Sequence, residues 1–401
     1  MKNLERLFSI IHKKNIQDLT LNKEKITSEL QRLSIRKKNQ QDLFNKILKI
    51  VQISNNQQLR ESYLRSYFRL YREKIKTDGR DSSIVIEITK RCQKNCLHCY
   101  SKHTGRRKDM TDEILSRIIH YARTHIKHIF LTGGEPTLDP RLFTIAEKNP
   151  DILFFFFTNG STMTRQYAHK ISAYGNLIPL LGIDGATHAS HDFLRGKGSY
   201  REVLHAIDAL QRYNVPWGYI SLVTEQNAHN VLCNKFITEK TKKGAFIARY
   251  LEYLPVGPYP LRELILSGST YYYLEKRKQD IIKSGIIYMQ ETMQKKCRGL
   301  LFFDVDGNIK NCFCFHYSKY NIKNGHIPRS VENLNHEWIS YKWEGECPIY
   351  SDPIGFKNHL EHLGWKKTCR LPETYLTDMT LATQLMRNYQ RFLQMKTQKK
   401  L

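Results

Sequence analysis

Between residues 83 and 257, short apolar runs alternate with amphipathic stretches, and this order constrains the fold more than any other feature of the chain. The apolar runs are SIVIEIT, HIFLTG, ILFFFFTNG, LIPLLGIDG, PWGYISLVT and FIARYLEYLPVG. Stretches with helical spacing, such as TDEILSRIIHYART and SYREVLHAIDALQRY, lie between them. Repeated strand and helix predict parallel βα units. About six strands are too few for a closed eightfold barrel, so we predict an α/β fold with a partial (βα)6 TIM-like barrel, in preference to a doubly wound sheet.

The segments on either side of this alternation differ from it. Residues 1–80 place apolar residues at three-to-four spacing, as in LRESYLRSYFRLYREKI, and predict a basic helical extension. After about residue 257 the alternation stops, and a Tyr-rich helical stretch leads into a second group of cysteines. We therefore predict three parts: the extension over 1–80, the barrel core over 81–257, and a small cysteine-containing module with a helical tail over 258–401.

The composition indicates the general class of protein but does not identify a binding partner. The chain has 401 residues and a formal net charge of +26, and it contains no apolar run of the roughly 18 residues that a bilayer span needs. Glu5 and Arg6 interrupt the first apolar patch, which is unlike a signal peptide, so we expect a cytoplasmic protein. The basic charge would attract nucleic acid, anionic membrane or acidic substrates, but it is spread along the whole chain.

Nine cysteines in a cytosolic chain suggest metal ligands or catalytic thiols rather than disulfides. They fall into two groups and two single positions. The first group is Cys92, Cys96 and Cys99, the second is Cys297, Cys312, Cys314 and Cys347, and Cys233 and Cys369 stand apart. Cys233, on a helical face, is expected to belong to the core.

The first group has the spacing C-x3-C-x2-C and directly follows the first predicted strand. This places three thiolates on one loop at the barrel mouth, and iron–sulfur clusters are built on such thiolates. A four-iron cluster needs four ligands, so three cysteines leave one iron open to a chelating small molecule. A zinc site that also uses His98 or His103 is the alternative.

The cysteine motif, its place after the first strand and the strand ends that follow it resemble the radical S-adenosylmethionine (radical SAM) superfamily. The resemblance covers about residues 83–257. It implies that S-adenosylmethionine binds the open iron of a 4Fe–4S cluster through its amino and carboxylate groups. It also implies reductive cleavage to a 5′-deoxyadenosyl radical, which abstracts a hydrogen atom from a substrate.

Four strand ends carry the rest of the resemblance. Gly133-Gly134-Glu135-Pro136 is similar to the family's GGEP element, which contacts the methionyl amine, and the ends of the third and fourth strands look like positions that face the ribose and carboxylate. Each end alone could be an ordinary turn, but catalytic residues of barrels come from the carboxyl ends of strands. The cofactor contacts implied by the resemblance are Tyr100, Gly133, Gly134, Glu135, Thr158, Asn159, Asp184, Arg195 and Asn227.

In the second group, Cys297, Gly307 and Cys312 form C-x9-G-x4-C, which resembles the opening of SPASM and twitch domains. Asp306-Gly307 is itself a hairpin signal. The later C-x2-C-x5-C-x3-C run of a full SPASM domain is absent, so the resemblance implies one auxiliary cluster at most. Its implied ligands are Cys297, Cys312, Cys347 and, in preference to Cys369, Cys314. The alternative is that these are buried structural thiols.

The resemblance does not name the substrate. We expect a peptide or protein side chain, held in part by residues 1–80, and an electron donor such as flavodoxin or ferredoxin. In a second interpretation the basic extension lies on an anionic membrane and the substrate is a lipid or isoprenoid. A third, from a different class, is a non-catalytic basic metal-binding protein that binds nucleic acid through the extension.

Overall fold

The structure is a computed structural model. It describes residue 28 and residues 83–101, 108–125, 128–256, 260–283, 288–290, 300–345, 347–369, 376 and 378–398. The predicted helical extension over residues 1–80 therefore lies almost wholly outside the described residues.

Six strands form the centre of the molecule and pair in chain order, all parallel. They are β1 Ser83–Thr89, β2 His128–Gly133, β3 Leu153–Thr158, β4 Leu177–Gly182, β5 Trp217–Val223 and β6 Ala245–Glu252. The connecting helices are α1 Asp112–His125, α2 Leu142–Lys148, α3 Arg165–Ser172, α4 His188–Arg195, α5 Ser199–Arg212, α6 Ala228–Val231 and α7 Asn234–Lys242. The predicted α/β fold with a mainly parallel sheet is confirmed.

The strands are buried on both faces, which explains their continuous apolar runs. In β3, Phe154 and Phe156 belong to the main hydrophobic core. Phe155 points to the other face and stacks on Phe130 of β2, with ring centroids 5.1 Å apart. The face opposite the main core is therefore lined by aromatic rings.

The sheet continues beyond the predicted boundary at residue 257. After α8 (Gly268–Lys283), β7 (Tyr288–Gln290) pairs with β6, and β8 (Leu300–Phe303) pairs in parallel with β1. The ten-stranded order is β11-β9-β8-β1-β2-β3-β4-β5-β6-β7, in which β9 is Asn308–Lys310 and β11 is Tyr320–Asn321. Strands from the C-terminal part thus complete both sides of the core sheet.

The C-terminal part also has elements and packing of its own. Its helices are α9 Ile327–Ser340, α10 Pro348–Ser351, α11 Pro353–His362 and α12 Met379–Gln398, and β10 (Tyr317–Ser318) pairs with β12 (Lys366–Lys367). Trp338 packs edge-on against Phe315 and Phe356. Gly307, at φ +83°, turns the β8–β9 hairpin, as the Asp-Gly pair predicts. No helix among the described segments is long and apolar enough to cross a bilayer.

Candidate active site

A cavity of about 320 Å³ lies at the carboxyl ends of the core strands. A larger groove of about 1,010 Å³ lies between α1, α2 and the segment before α9, but no cysteine lines it, so the chemistry belongs to the smaller cavity. The predicted site residues in its wall are Cys92, Cys96, Cys99, Tyr100, Gly133, Gly134, Glu135, Thr158, Asn159, Arg195 and Cys314. The fold therefore gathers the cysteine loop and the ends of β2 and β3 around one space.

Gly133, which ends β2, and Gly134, which follows it, let the turn pack closely against the cysteine loop. Gly134 N–H donates to the Thr89 carbonyl and Glu135 N–H donates to the Arg91 carbonyl, each over 2.8 Å. A Cβ on Gly134 would lie 2.1 Å from the Arg91 oxygen and 2.9 Å from the Cβ of Cys92. A side chain here would separate the two segments, so glycine is required by close approach.

Glu135 ties the ends of β2 and β3 together. Its side chain is buried; one carboxylate oxygen accepts from the hydroxyl of Thr137 at 2.7 Å, and the other accepts from the Asn159 N–H at 2.7 Å. Burial raises the pKa of Glu135, and these hydrogen bonds oppose the rise. Both oxygens are bonded within the protein, so this carboxylate positions the adjoining turns.

The end of β3 reaches the first cysteine. The Asn159 amide nitrogen lies 3.9 Å from Cys92 Sγ, and its amide oxygen accepts from the hydroxyl of Ser161 at 2.7 Å. The Thr158 hydroxyl oxygen accepts from the Gly160 N–H at 3.1 Å. The turn is thereby fixed with a polar donor beside the Cys92 thiol.

Two thiols of the loop lie in surroundings that disfavour the thiolate. Burial raises the pKa of both Cys92 and Cys96, although the Arg195 guanidinium partly opposes this at each thiol. A metal bound here would have to displace these protons, so its affinity would rise with pH.

Asp184, after β4, anchors a positive charge at the cavity wall. Its carboxylate accepts from Arg195 Nε at 2.5 Å and from the Leu222 N–H at 2.8 Å. Burial alone would raise the pKa of Asp184, but Arg195 and His98 hold it below its usual value. The aspartate therefore stays ionised and orients the guanidinium.

Gly182 makes room for that guanidinium. A Cβ at this position would lie 2.4 Å from both terminal nitrogens of Arg195. Burial alone would lower the pKa of Arg195, but Asp184 and Cys96 raise it. Arg195 lines the cavity with its charge intact, whereas Asp184 lies behind it and does not line the cavity.

Asn227 and Tyr100, two other predicted cofactor contacts, interact with neighbouring residues of the protein. Asn227 is buried, and its amide nitrogen donates to the carbonyls of Asp184 and Leu222 at 2.9 and 2.8 Å. It braces the β4 and β5 ends, and an adenosine contact stays a prediction. The Tyr100 hydroxyl lies 3.2 Å from that of Thr132, and its ring packs edge-on against Phe313.

The zinc alternative depends on histidines near the loop. His98 Nε2 lies 3.4 Å from the Asp184 carboxylate, and burial lowers its pKa to about 4, so the ring is neutral. His103 lies outside the described residues. Within the described segments, no three His, Cys, Asp or Glu side chains converge closely enough to bind a single metal ion.

The wall as a whole fits an iron–sulfur cluster with a polar chelating ligand. Three thiols come from one loop, as a cluster with one open iron requires. Gly134 lets the β2 turn pack directly against the backbone of the cysteine loop beside Cys92, and Asn159 and Arg195 line the same cavity as the thiols. These groups match the amino, carboxylate and hydroxyl functions of an amino-acid-derived ligand.

The second cysteine group is only partly described, since Cys297 lies outside the described residues. Cys312 and Cys314 follow β9, and Cys347 precedes α10; Cys314 and Cys347 are buried. Cys314 also lines the smaller cavity, into which the first cysteine group faces. Thr368 N–H donates to the His316 carbonyl, so the residue before Cys369 is bonded to the chain just after the Cys312–Cys314 loop. The auxiliary cluster and its fourth ligand stay predictions.

Cys233 lies in neither group. Its sulfur accepts from the Phe236 N–H at 3.5 Å, at the N-terminus of α7. It therefore acts as a helix cap, a local role that its position on a helix does not reveal.

Sequence reasoning missed two charged residues of β6 that line the cavity, Arg249 and Glu252. The guanidinium of Arg249 lies over the rings of Phe130 and Phe157, 5.1 and 5.3 Å from their centroids. The available signal was a pair of charges inside the otherwise apolar run FIARYLEY. A buried charge is costly unless it is paired and hydrogen-bonded, so charges in such a run indicate a specific polar environment.

Comparison with known proteins agrees with this geometry. The family model described as "Radical SAM superfamily" matches residues 86–232. The chain contains a radical SAM domain. The matched region contains most of β1, the strands β2 to β5 and the cysteine loop after β1, and β6 follows it in the chain.

The relatives of this radical SAM domain extend beyond the matched region. The AdoMet-dependent heme synthase of Methanosarcina barkeri is 30% identical over 154 residues, which are 37% of this chain and 44% of that protein. The mycofactocin maturase MftC of Mycobacterium tuberculosis is 28% identical over 182 residues, which are 42% and 44% of the two chains. This chain thus spans less than half the length of each.

A solved structure, Streptococcus suis SuiB bound to precursor peptide SuiA, superposes with a TM-score of 0.55 at 14% identity. The superposition covers 73% of this chain and 74% of that one. It extends well beyond the radical SAM domain and confirms the partial-barrel fold with a further C-terminal part.

Proposed function

We propose that this protein is a radical SAM enzyme that binds a 4Fe–4S cluster on Cys92, Cys96 and Cys99 and uses S-adenosylmethionine to abstract a hydrogen atom from a peptide substrate. One observation carries the proposal: the three thiols of one loop face the same cavity as the Gly133-Gly134 turn that is pressed against that loop. The strand-end motifs meet at one site, which is not expected of unrelated turns.

When bound, the cofactors would supply one-electron cleavage of a sulfonium and a carbon radical that abstracts hydrogen. The chain's own residues would hold and orient these cofactors. Glu135 fixes the β2 and β3 ends, and the ion pair of Asp184 with Arg195 presents a cation suited to a carboxylate. Apolar side chains such as Phe157 and Leu222 form part of the cavity wall and would limit the access of water to a reactive species.

A peptide is the favoured substrate class. One matched relative is named a maturase, and SuiB has a precursor peptide bound. Arg249 and Glu252 place two opposite charges in the cavity wall, which suits the polar backbone and side chains of a peptide better than an isoprenoid tail.

Two further parts of the function are proposals of the same kind. Buried Cys314 and Cys347, with Cys312 and Cys297, would hold one auxiliary cluster, and a flavodoxin or ferredoxin would deliver the electron. A reducing cytoplasm suits both the thiols and the clusters.

The test is the iron and sulfide content after anaerobic reconstitution, together with the release of 5′-deoxyadenosine. Wild type is compared with a variant in which Cys92, Cys96 and Cys99 are all alanine, and Cys233→Ala serves as the matched control. We expect the triple variant to lose about four irons and all 5′-deoxyadenosine release, and the control to keep both.

The outcomes separate the two cluster proposals. A triple variant that keeps roughly half the iron supports an auxiliary cluster, and one that keeps none indicates a single cluster. A reconstituted wild type that never releases 5′-deoxyadenosine contradicts the proposed activity.

A further inference from the structure

Arg249 brings a positive charge into the cavity wall from the largely apolar strand β6. It is 5% exposed and lines the cavity together with Ile220 and Leu251. Its guanidinium carbon lies 5.1 and 5.3 Å from the ring centroids of Phe130 and Phe157. Because those rings belong to β2 and β3, the side chain reaches across the interior of the barrel. The cation therefore lies inside the barrel and not on its outer surface.

The two rings give this charge a fixed position. The ring planes of Phe130 and Phe157 are 10° apart and their centroids are separated by 5.7 Å, and each ring attracts the cation through its face. Ring faces supply no oxygen acceptors, so this contact orients the guanidinium without neutralising its charge. The planar fork of N–H donors in a guanidinium matches the two oxygens of a carboxylate. Arg249 is therefore suited to bind a carboxylate that enters the cavity.

The guanidinium of Arg195 belongs to a different part of the same wall. Gly182, Ile220 and Arg249 are neighbours in register on β4, β5 and β6. The terminal nitrogens of Arg195 occupy the place that a Cβ of Gly182 would take, and Asp184 holds this guanidinium at the β4 side. Neighbouring strands lie about 4.8 Å apart, so Gly182 and Arg249 are about 10 Å apart across the sheet. The two guanidinium groups can thus bind two different carboxylates.

The wall beside Arg249 is suited to an apolar stem that carries a charged end. Ile220 is its register neighbour on β5, Leu251 follows it on β6, and both line the cavity. Glu252, the last residue of β6, lies about 10 Å farther along the strand toward the carboxyl ends. An aspartate or glutamate side chain has methylene groups for the apolar part and a carboxylate for the cation. A lysine side chain would meet a like charge at the same place.

We propose that Arg249 is a specificity-determining residue that binds a carboxylate of the substrate. The peptide residue that enters the cavity is then an aspartate, a glutamate or a C-terminal residue. This inference rests on the proposed function and deepens it, because it names the substrate class of the same site. The cofactor also carries a carboxylate, and Arg195, whose charge acts on the Cys96 thiol, is the cation assigned to it. The experiment therefore measures peptide and cofactor binding separately.

The probes are two sets of synthetic octapeptides of otherwise random sequence. In one set the termini are blocked and a central residue is glutamate, aspartate, glutamine or lysine; in the other the C-terminus is free or amidated. Their retention on anaerobically reconstituted protein with S-adenosylmethionine is measured by mass spectrometry. The variants are Arg249→Gln, Arg249→Lys and Arg249→Glu. Arg262→Gln is the matched control, since its side chain is 51% exposed, pairs with Asp378 and does not line the cavity.

We expect wild type and the control to retain carboxylate peptides roughly tenfold to a hundredfold better than the glutamine and amidated peptides. Arg249→Gln should lose this preference. Arg249→Lys should keep a weaker one, because an ammonium group keeps the charge but lacks the planar fork. Arg249→Glu should prefer the lysine peptides. Affinity for S-adenosylmethionine, measured by equilibrium dialysis, should stay at the wild-type level in all variants.

Wild type that retains glutamate and glutamine peptides equally would overturn the proposal, and so would a glutamate preference that survives in Arg249→Gln. A variant that keeps its iron but loses affinity for S-adenosylmethionine assigns Arg249 to the cofactor carboxylate, which also contradicts the proposal. If Arg249→Gln does not fold and binds no iron, Arg249→Lys decides the question. An undiminished glutamate preference in that variant counts against binding by the guanidinium fork.

Failure of the proposed function has a different signature. In that case wild type binds no cluster and releases no 5′-deoxyadenosine with dithionite, whichever peptide is present. If wild type binds its cluster and releases 5′-deoxyadenosine but shows no preference for carboxylate peptides, the assignment of Arg249 alone is wrong.

Discussion

Replacing Gly134 by alanine tests whether the β2 turn must touch the cysteine loop. The added Cβ would lie 2.1 Å from the Arg91 oxygen, so one of the two segments must move. That movement stretches the bonds from Gly134 N–H to Thr89 and from Glu135 N–H to Arg91, each 2.8 Å. Two hydrogen bonds at about 1 kcal/mol each, with overpacking of about 1–3 kcal/mol, give an expected loss of roughly 3–5 kcal/mol.

The assay is chemical unfolding of the anaerobically reconstituted protein, with iron content measured on the same samples. Gly175→Ala is the matched control, since a Cβ there meets nothing within 4 Å and the change should stay within about 0.5 kcal/mol. We expect the Gly134 variant to lose stability and iron, and the control to lose neither. If Gly134→Ala behaves like Gly175→Ala in both measurements, the close approach is not needed and the reasoning fails.

Two more substitutions test buried carboxylates. Glu135→Gln turns an amide donor toward the N–H of Asn159 or toward Thr137, so we expect about 1–3 kcal/mol of destabilisation by urea unfolding; an unchanged midpoint would contradict the bridging role. Asp304→Asn removes the partner of Lys310, 2.7 Å away with both side chains at most 4% exposed, and should cost about 3–5 kcal/mol at neutral pH. Burial alone would raise the pKa of Asp304, but Lys310 holds it below its usual value. The stabilisation is therefore present above about pH 3.9 and is lost as the pH falls through the folded-state pKa; the gap between wild type and variant should close in acid, and a gap that persists there refutes the ionic explanation.

The strands were predictable because parallel strands buried on both faces read as continuous apolar runs. β1 and β2 begin and end at the predicted residues, SIVIEIT and HIFLTG. Between β5 and β6 the structure has two helices, α6 and then α7, because Cys233 caps a second helix after the first has ended. Local side-chain caps of this kind leave no periodic signal.

The position of the site could be predicted from the sequence, but the contacts between its residues could not. Strand ends with Gly, Asn or Asp could be placed at one edge of the sheet from the order of elements alone. The sequence did not show that Glu135 bonds the turn after β3, or that Gly182 leaves space for Arg195. Such contacts depend on three-dimensional packing between segments that are distant in the chain.

The pairing of β8 with β1 has a consequence for how the chain is made. During synthesis, β1 can pair with β2 early, but its other edge finds its partner only when Leu300–Phe303 has emerged. Until then the nascent chain carries an open strand edge, which is a template for association with other chains. A protein ended at residue 257 would keep that edge permanently exposed, beside the loop that carries Cys92. The C-terminal part therefore also covers the open edge of β1 and so limits aggregation while the barrel folds.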